Sequence, residues 1–282
     1  MPELPEVQAH AERLTGDFAG RVLTRFVPLT FTALKTAVPP PDQAYGSSLR
    51  DVGRRGKYLL LRFPDVTFVV HLMQGGRLAV DAKQSAKPRG GQARFVFDGA
   101  SPALLLTEQG TERKAGVWCV ATEQIERSPG PPLDHLGPEA DTIEAAELAQ
   151  LFAARSMRLH GFLRDQRSIA GIGRRLANEV CHRARISPFA MTGKLGTNDA
   201  ATVVVAIREA LAEGLEYERS RDEMSSSKER PGRVHGRAGE PCPICGDTVR
   251  AVEYSGYTVN YCPTCQTGGK ILADNTTSKF LK

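Results

Sequence analysis

Four cysteines in two short pairs, Cys242-Pro243-Ile244-Cys245 and Cys262-Pro263-Thr264-Cys265, restrict what the C-terminal part of this chain can become. The sixteen residues between the pairs include a strand-like run from Thr248 to Tyr261. This is the spacing of a β-hairpin whose two knuckle turns hold one Zn2+ through Cys242, Cys245, Cys262 and Cys265. Four thiolates leave no open coordination position, so the zinc is expected to be structural. A pair of disulfides is the alternative, and it suits an oxidising compartment. Cys119 and Cys181 stand alone in apolar surroundings and read as inert core thiols.

A chain of 282 residues, 41% of them hydrophobic, has ample core for one large or two ordinary domains. Its longest apolar runs, such as Leu59-Leu60-Leu61 and Val66 to Met73, fall far short of a membrane span, and no basic-then-apolar leader opens it. A cytoplasmic protein with no membrane partner is therefore expected. The net charge of +5 is modest but uneven, because residues 155 to 185 carry eight arginines against Asp165 and Glu179. Such a block can be a solvated face, yet its interleaving with glycines favours a surface for phosphates.

The first residues, Met1-Pro2-Glu3-Leu4-Pro5-Glu6-Val7, carry a chemical possibility. Once Met1 is removed, Pro2 is a free secondary amine. It can condense with an aldehyde-equivalent carbon to give an iminium, and an α-amino group of pKa about 8 is partly uncharged near neutral pH. Glu3 adjoins that amine, and Glu6 lies one helical turn further on. The plain alternative is that Pro2 and Glu3 only start a helix. Leu4, Val7, Ala11, Leu14 and Phe18 recur at steps of three and four, which predicts an amphipathic helix closed by Gly16 and Gly20.

β-Rich runs follow over 21–28, 57–63, 66–72, 93–97, 103–107 and 116–121, with turns that suggest an antiparallel sandwich. Residues 83–91 read as an exposed loop and 129–132 as a linker. Beyond it the period becomes 3.6, predicting helices over 142–155, 174–184 and 197–218. Between the first two helices, Asp165-Gln166 and Ala170-Gly171-Ile172-Gly173 form a glycine turn. Its N–H groups could grip a phosphate, or it could be an ordinary turn. Residues 219–232 are polar, serine-rich and expected to be mobile. The fold class is thus α+β: an N-terminal antiparallel β-sandwich with an N-terminal helix (1–128), a C-terminal helical domain (133–232) and a zinc β-hairpin with its tail (233–282).

These motifs together resemble the formamidopyrimidine-DNA glycosylase and endonuclease VIII family of bacterial base-excision repair enzymes. The resemblance rests on Pro2 to Val7, Gly53-Arg54-Arg55-Gly56-Lys57-Tyr58-Leu59, Asp165-Gln166 with Ala170 to Gly173, Val234 with Gly236-Arg237 and Gly239 to Cys242, and Tyr261 to Gln266. It implies a helix–two-turn–helix segment and a monomer acting on double-stranded DNA with damaged or abasic nucleotides. It also implies a bifunctional DNA glycosylase and abasic-site lyase for oxidised bases. By the same resemblance Pro2 would attack C1′ and form a Schiff base, Glu3 would protonate the opening sugar, with Glu6 beside it, and Lys57 would assist elimination and touch phosphate. His71, Arg113, Gly171, Gly173, Arg174 and Tyr257 would contact DNA. For Lys57 a solvated strand lysine is the alternative, and for His71 a core histidine.

The chain departs from the family pattern at several of these places. Arg174 stands where asparagine is usual, Tyr257 where an arginine precedes the third cysteine, and Gln92 and His235 where histidine and tyrosine are usual. His71-Leu72-Met73-Gln74-Gly75-Gly76 moves a methionine by one place, and Arg113-Lys114-Ala115-Gly116 loses an aromatic wedge. A tyrosine supplies no fixed positive charge. An alternative function is therefore a non-catalytic or lyase-only abasic-site binder with drifted lesion recognition.

Overall fold

The computed structural model describes residues 1–99, 102–110, 112–127, 129–224, 229–254 and 256–272. They divide into two compact units, Met1–His135 and Leu136–Lys282.

In the first unit, helix α1 (Leu4–Phe18) precedes eight strands: β1 (Leu23–Pro28), β2 (Asp51–Arg55), β3 (Tyr58–Arg62), β4 (Val66–His71), β5 (Gly76–Asp81), β6 (Gly91–Phe97), β7 (Ala103–Glu108) and β8 (Gly116–Ala121). They form two antiparallel four-stranded sheets, ordered β1-β6-β7-β5 and β2-β3-β4-β8. The sheets face each other across aromatic rings. Phe68 of one lies 5.5 Å from Phe26 and 5.2 Å from Phe95 of the other. A short helix α2 (Thr122–Arg127) follows β8. The sequence reading missed β2 and β5. In β2 only Val52 is fully buried, so the run Asp51 to Arg55 offers no alternation of apolar and polar residues to detect.

Helix α1 buries Leu4, Val7, Ala11, Leu14 and Phe18, the stripe that the spacing predicts. Its end differs from expectation: the helix runs through Gly16, and only Gly20, at φ +83°, sits beyond its close. Two contacts fix the helix to both sheets. Thr15 Oγ1 accepts from the Val52 N–H at 2.8 Å and donates to the Val52 carbonyl at 3.1 Å, while His10 Nε2 lies 2.7 Å from the Leu78 carbonyl in β5.

The second unit holds α3 (Ala145–Ala154), α4 (Leu159–Arg164), α5 (Arg174–Arg183), α6 (Thr197–Arg219), the hairpin β9 (Arg250–Tyr254) with β10 (Tyr257–Tyr261), and α7 (Pro263–Thr267). α6 packs against α3 and α5 through Val203, Ile207, Ala210 and Leu211. Phe152 and Phe162 meet edge-on at 5.0 Å and join α3 to α4. α4 was not foreseen, because six residues are too few to show a period. Within 219–232, against the expected mobility, Arg230 is buried and Arg221 pairs with Glu229 at 2.7 Å, and residues 225–228 lie outside the described residues. Of the tail, Leu272 donates its N–H to Tyr261 Oη at 2.8 Å, and 273–282 lie outside the described residues.

Candidate active site and nucleic-acid interface

The N-terminus of α1 lies at the centre of the candidate site of the first unit. Glu3 is the N-cap and Pro5 the proline of the first turn, so Pro2 lies outside the helix and has no part in starting it. Pro2, Glu3, Glu6 and Lys57 are all buried. Glu6 Oε2 accepts the Glu3 N–H at 3.0 Å, which makes Glu6 a holder of the terminal backbone. The terminal amine, borne here by Met1, has its pKa lowered chiefly by burial; Lys57 and Arg77 lower it further, against the opposing pull of Glu3 and Glu6. Arg77, on β5, is a site residue that the sequence reading missed; its Nη1 donates to the Gly76 carbonyl at 2.8 Å.

His71 ends β4 beside this cluster. Its Nδ1 accepts the Met73 N–H at 3.1 Å, so the proton of the neutral ring sits on Nε2. Burial, and then Lys57, push its pKa down to about 4. At neutral pH His71 therefore offers a hydrogen-bond donor and no charge. Tyr58 packs on its ring at 4.5 Å. Met73 takes the left-handed conformation, φ +52°, in the turn to β5. Gly76, at the start of β5, admits no side chain, since a Cβ would lie 2.1 Å from the Leu72 carbonyl oxygen.

Arg113 lies exposed on the connection into β8, apart from the buried cluster, and among the described residues no hydrogen bond or ion pair engages it. The neighbouring Ala115 is buried, its N–H held by Glu108 Oε2 at 2.6 Å. A methyl group so enclosed cannot enter a base stack.

In the second unit the glycine turn is braced from within. Gln166 Oε1 accepts the Gly171 N–H at 3.0 Å, and Gln166 Nε2 donates to the Ile172 carbonyl at 2.8 Å and to that of Arg164 at 2.9 Å. Gly171, at φ +100°, is thus needed for the turn's shape, and its N–H is spent on Gln166, contrary to the sequence expectation of an outward donor. Gly173 caps α5, and among the described residues its N–H and that of Arg174 have no acceptor. They point with the positive end of the helix dipole. Arg174, Arg175, Arg230, His235 and Arg237 line a cleft of about 710 Å³ in this unit. Burial, followed by Arg175, pushes the pKa of His235 down to about 4, so the cleft's positive charge comes from arginine.

Glu179 ties α5 to the turn that precedes the hairpin. Its carboxylate accepts the N–H groups of Arg233, Val234 and His235 at 2.9, 3.0 and 2.9 Å. Burial opposes its ionisation, but these three donors and Arg175 outweigh it and hold its pKa below the usual range.

The four hairpin cysteines converge, with all their sulfur atoms within 4.8 Å of one another. Cys242 Sγ lies 3.9 Å from that of Cys265, and Cys245 Sγ 3.3 Å from that of Cys262. A tetrahedron of sulfurs at 2.3 Å from zinc has edges of about 3.8 Å. The set fits one zinc ion, and His182 Nε2, 3.3 Å from Cys242 Sγ, stands where an outer-sphere donor to a thiolate belongs. Tyr257 begins β10, on which His160 and Arg164 of α4 rest. The isolated Cys119 and Cys181 are buried; burial raises both thiol pKa values, that of Cys119 to about 12.

Among the described residues no helix is long and apolar enough to cross a membrane. Three family models match the chain: the formamidopyrimidine-DNA glycosylase N-terminal domain over residues 1–113, the formamidopyrimidine-DNA glycosylase H2TH domain over 136–226, and the zinc finger found in FPG and IleRS over 239–268. A formamidopyrimidine-DNA glycosylase of Methylococcus capsulatus is 34% identical across 94% of this chain and 100% of its own length. An uncharacterized formamidopyrimidine-DNA glycosylase-like protein of Mycobacterium tuberculosis is 42% identical over 149 residues, 52% of this chain and 94% of that protein. Among solved structures, the Lactococcus lactis Fpg in complex with abasic-site DNA superposes with a TM-score of 0.83 at 20% identity, over 94% of this chain and 99% of that one.

Proposed function

The chain belongs to the formamidopyrimidine-DNA glycosylase family of DNA repair, and from that premise we propose that it is a bifunctional glycosylase and abasic-site lyase for oxidised bases in double-stranded DNA, working through Pro2. One observation carries the reading: Pro2 is buried at the chain terminus, and the terminal amine next to it has its pKa lowered, chiefly by burial, with Glu3, Glu6, Lys57 and Arg77 acting on it. After Met1 is removed, that amine belongs to Pro2. Its lone pair attacks C1′ of an extruded nucleotide, the C1′–N bond breaks and the base leaves with the proton that the Pro2 nitrogen gives up. Glu3 protonates the ring oxygen as the sugar opens. The resulting iminium draws electrons from the C2′–H bond, and loss of that proton expels the 3′ phosphate. Lys57 and the Nε2–H of His71 hold the backbone phosphates.

The remaining assignments follow the same division of labour. The 1–128 region supplies the chemistry. The 133–232 region, through the N–H groups of Gly173 and Arg174, and the 233–282 region, through the hairpin carrying Tyr257, grip the duplex, with Gly171 shaping the turn and Arg113 reaching the extrusion gap. We read the protein as a cytoplasmic, nucleoid-associated monomer. A lyase-only protein is the second reading, favoured by the burial of Ala115, which leaves no aromatic wedge at that place. A cleavage panel of oxidised purines, oxidised pyrimidines and plain abasic sites in duplex DNA tests both. Cleavage at an oxidised base supports the first, cleavage at abasic sites alone supports the second, and cleavage of none contradicts both.

A further inference from the structure

We propose that Arg164 is a phosphate-contacting cation of the DNA interface and that Tyr257 is the residue that positions it, an inference that rests on the DNA-binding reading above. The Arg164 guanidinium lies 3.8 Å from the centre of the Tyr257 ring. His160, one turn earlier on the same face of α4, stacks on that ring with centroids 5.6 Å apart and planes inclined by 16°. His160 is buried, and its pKa is pushed down to about 3 by burial and then by Arg164, so the ring beside the guanidinium is neutral.

Arg164 is held by an aromatic ring where several other arginines of this unit are held by carboxylates. Arg155 pairs with Asp165, Arg183 with Glu213 and Arg237 with Glu240, each at 2.7 to 2.8 Å. Among the described residues no carboxylate pairs with Arg164, and no acceptor engages its guanidinium. An aromatic face orients a guanidinium without consuming its N–H edge. That edge then suits a bidentate phosphate contact. The backbone of Arg164 is tied by Gln166 to the carbonyl of Ile172, in the turn that leads to Gly173 and Arg174. The cation is thus fixed in register with the free N–H groups at the start of α5. A hairpin that lacks an arginine at position 257 would in this way borrow one from α4. Tyr257 is the sequence signal, but residues 93 positions apart in the chain give no hint of contact.

The test uses the full zinc-loaded chain and a duplex containing a tetrahydrofuran abasic analogue, with the dissociation constant followed by anisotropy over a range of KCl concentrations. Arg164→Gln is expected to weaken binding about tenfold at low salt and to lower the slope of log K against log salt by about 1, the signature of one lost phosphate contact. Arg164→Lys should retain the slope. Tyr257→Leu should reproduce the loss, Tyr257→Phe should not, and adding Arg164→Gln to Tyr257→Leu should cost nothing further. Zinc content and melting temperature equal to wild type exclude misfolding as the cause, and Arg164→Lys serves as the folded control if Tyr257→Leu melts low. An unchanged slope in Arg164→Gln overturns the inference alone. A wild-type protein that binds the duplex with no salt dependence overturns the proposed function with it.

Discussion

At the scale of single residues, chemistry and stability draw on the same feature, burial of groups that would be charged in water. His10, His71, His160 and His235 have pKa values pushed down to about 4, 4, 3 and 4, burial being the first cause for each. A folded-state pKa below the unfolded value near 6.5 means that the unfolded chain binds more protons in between, so stability falls as pH drops from about 6.5 towards 4. Thermal melts across that window should show the decline. His10→Gln keeps a neutral donor for the Leu78 carbonyl while removing one titrating group, and its decline should be shallower; an identical slope would contradict the assignment. Gly76→Ala forces a methyl group onto the Leu72 carbonyl and should cost about 1–3 kcal/mol, read from the urea midpoint, with loss of activity through the displaced His71 turn.

At the scale of elements, the joint between α5 and the chain entering the hairpin depends on Glu179. Its carboxylate accepts three backbone N–H groups, so Glu179→Ala should destabilise the second unit by about 3 kcal/mol, measurable by denaturant unfolding. Because the folded pKa of Glu179 lies below its unfolded value, its contribution is complete above about pH 4.5 and is lost as pH falls. The long periodic elements were legible in the sequence: α1, α5 and α6 follow apolar stripes, and β3, β4 and β8 follow apolar runs. What escaped was short or polar. β2 buries one residue fully, α4 has six residues, and β5 carries Arg77 into the site from a strand with no clear alternation. The zinc ligands were legible because metal geometry fixes their spacing, whereas the role of Gln166 in occupying the Gly171 N–H depends on a side-chain rotamer that no motif records.

At the scale of the whole molecule, each unit relies on a different source of order. The first closes two sheets over an aromatic core. The second ends in a small hairpin where Val234, Cys242, Val249 and Cys262 form one buried cluster with Cys265 against it, and where four cysteine sulfurs converge within 4.8 Å in the geometry of a metal site. Zinc is therefore expected at one per chain, and Cys262→Ser or a strong chelator should release it and abolish DNA binding while the sandwich keeps its own melting transition. The central claim concerns the other end of the chain, where Pro2 is an amide nitrogen until Met1 is removed. Borohydride reduction during incubation with abasic-site DNA, followed by peptide mapping, tests it most directly. A covalent adduct on Pro2 is predicted for the processed protein, and none for a chain extended at its N-terminus, in which residue 2 is an amide nitrogen. An adduct on any other residue, or no adduct with processed wild-type protein, would contradict the mechanism.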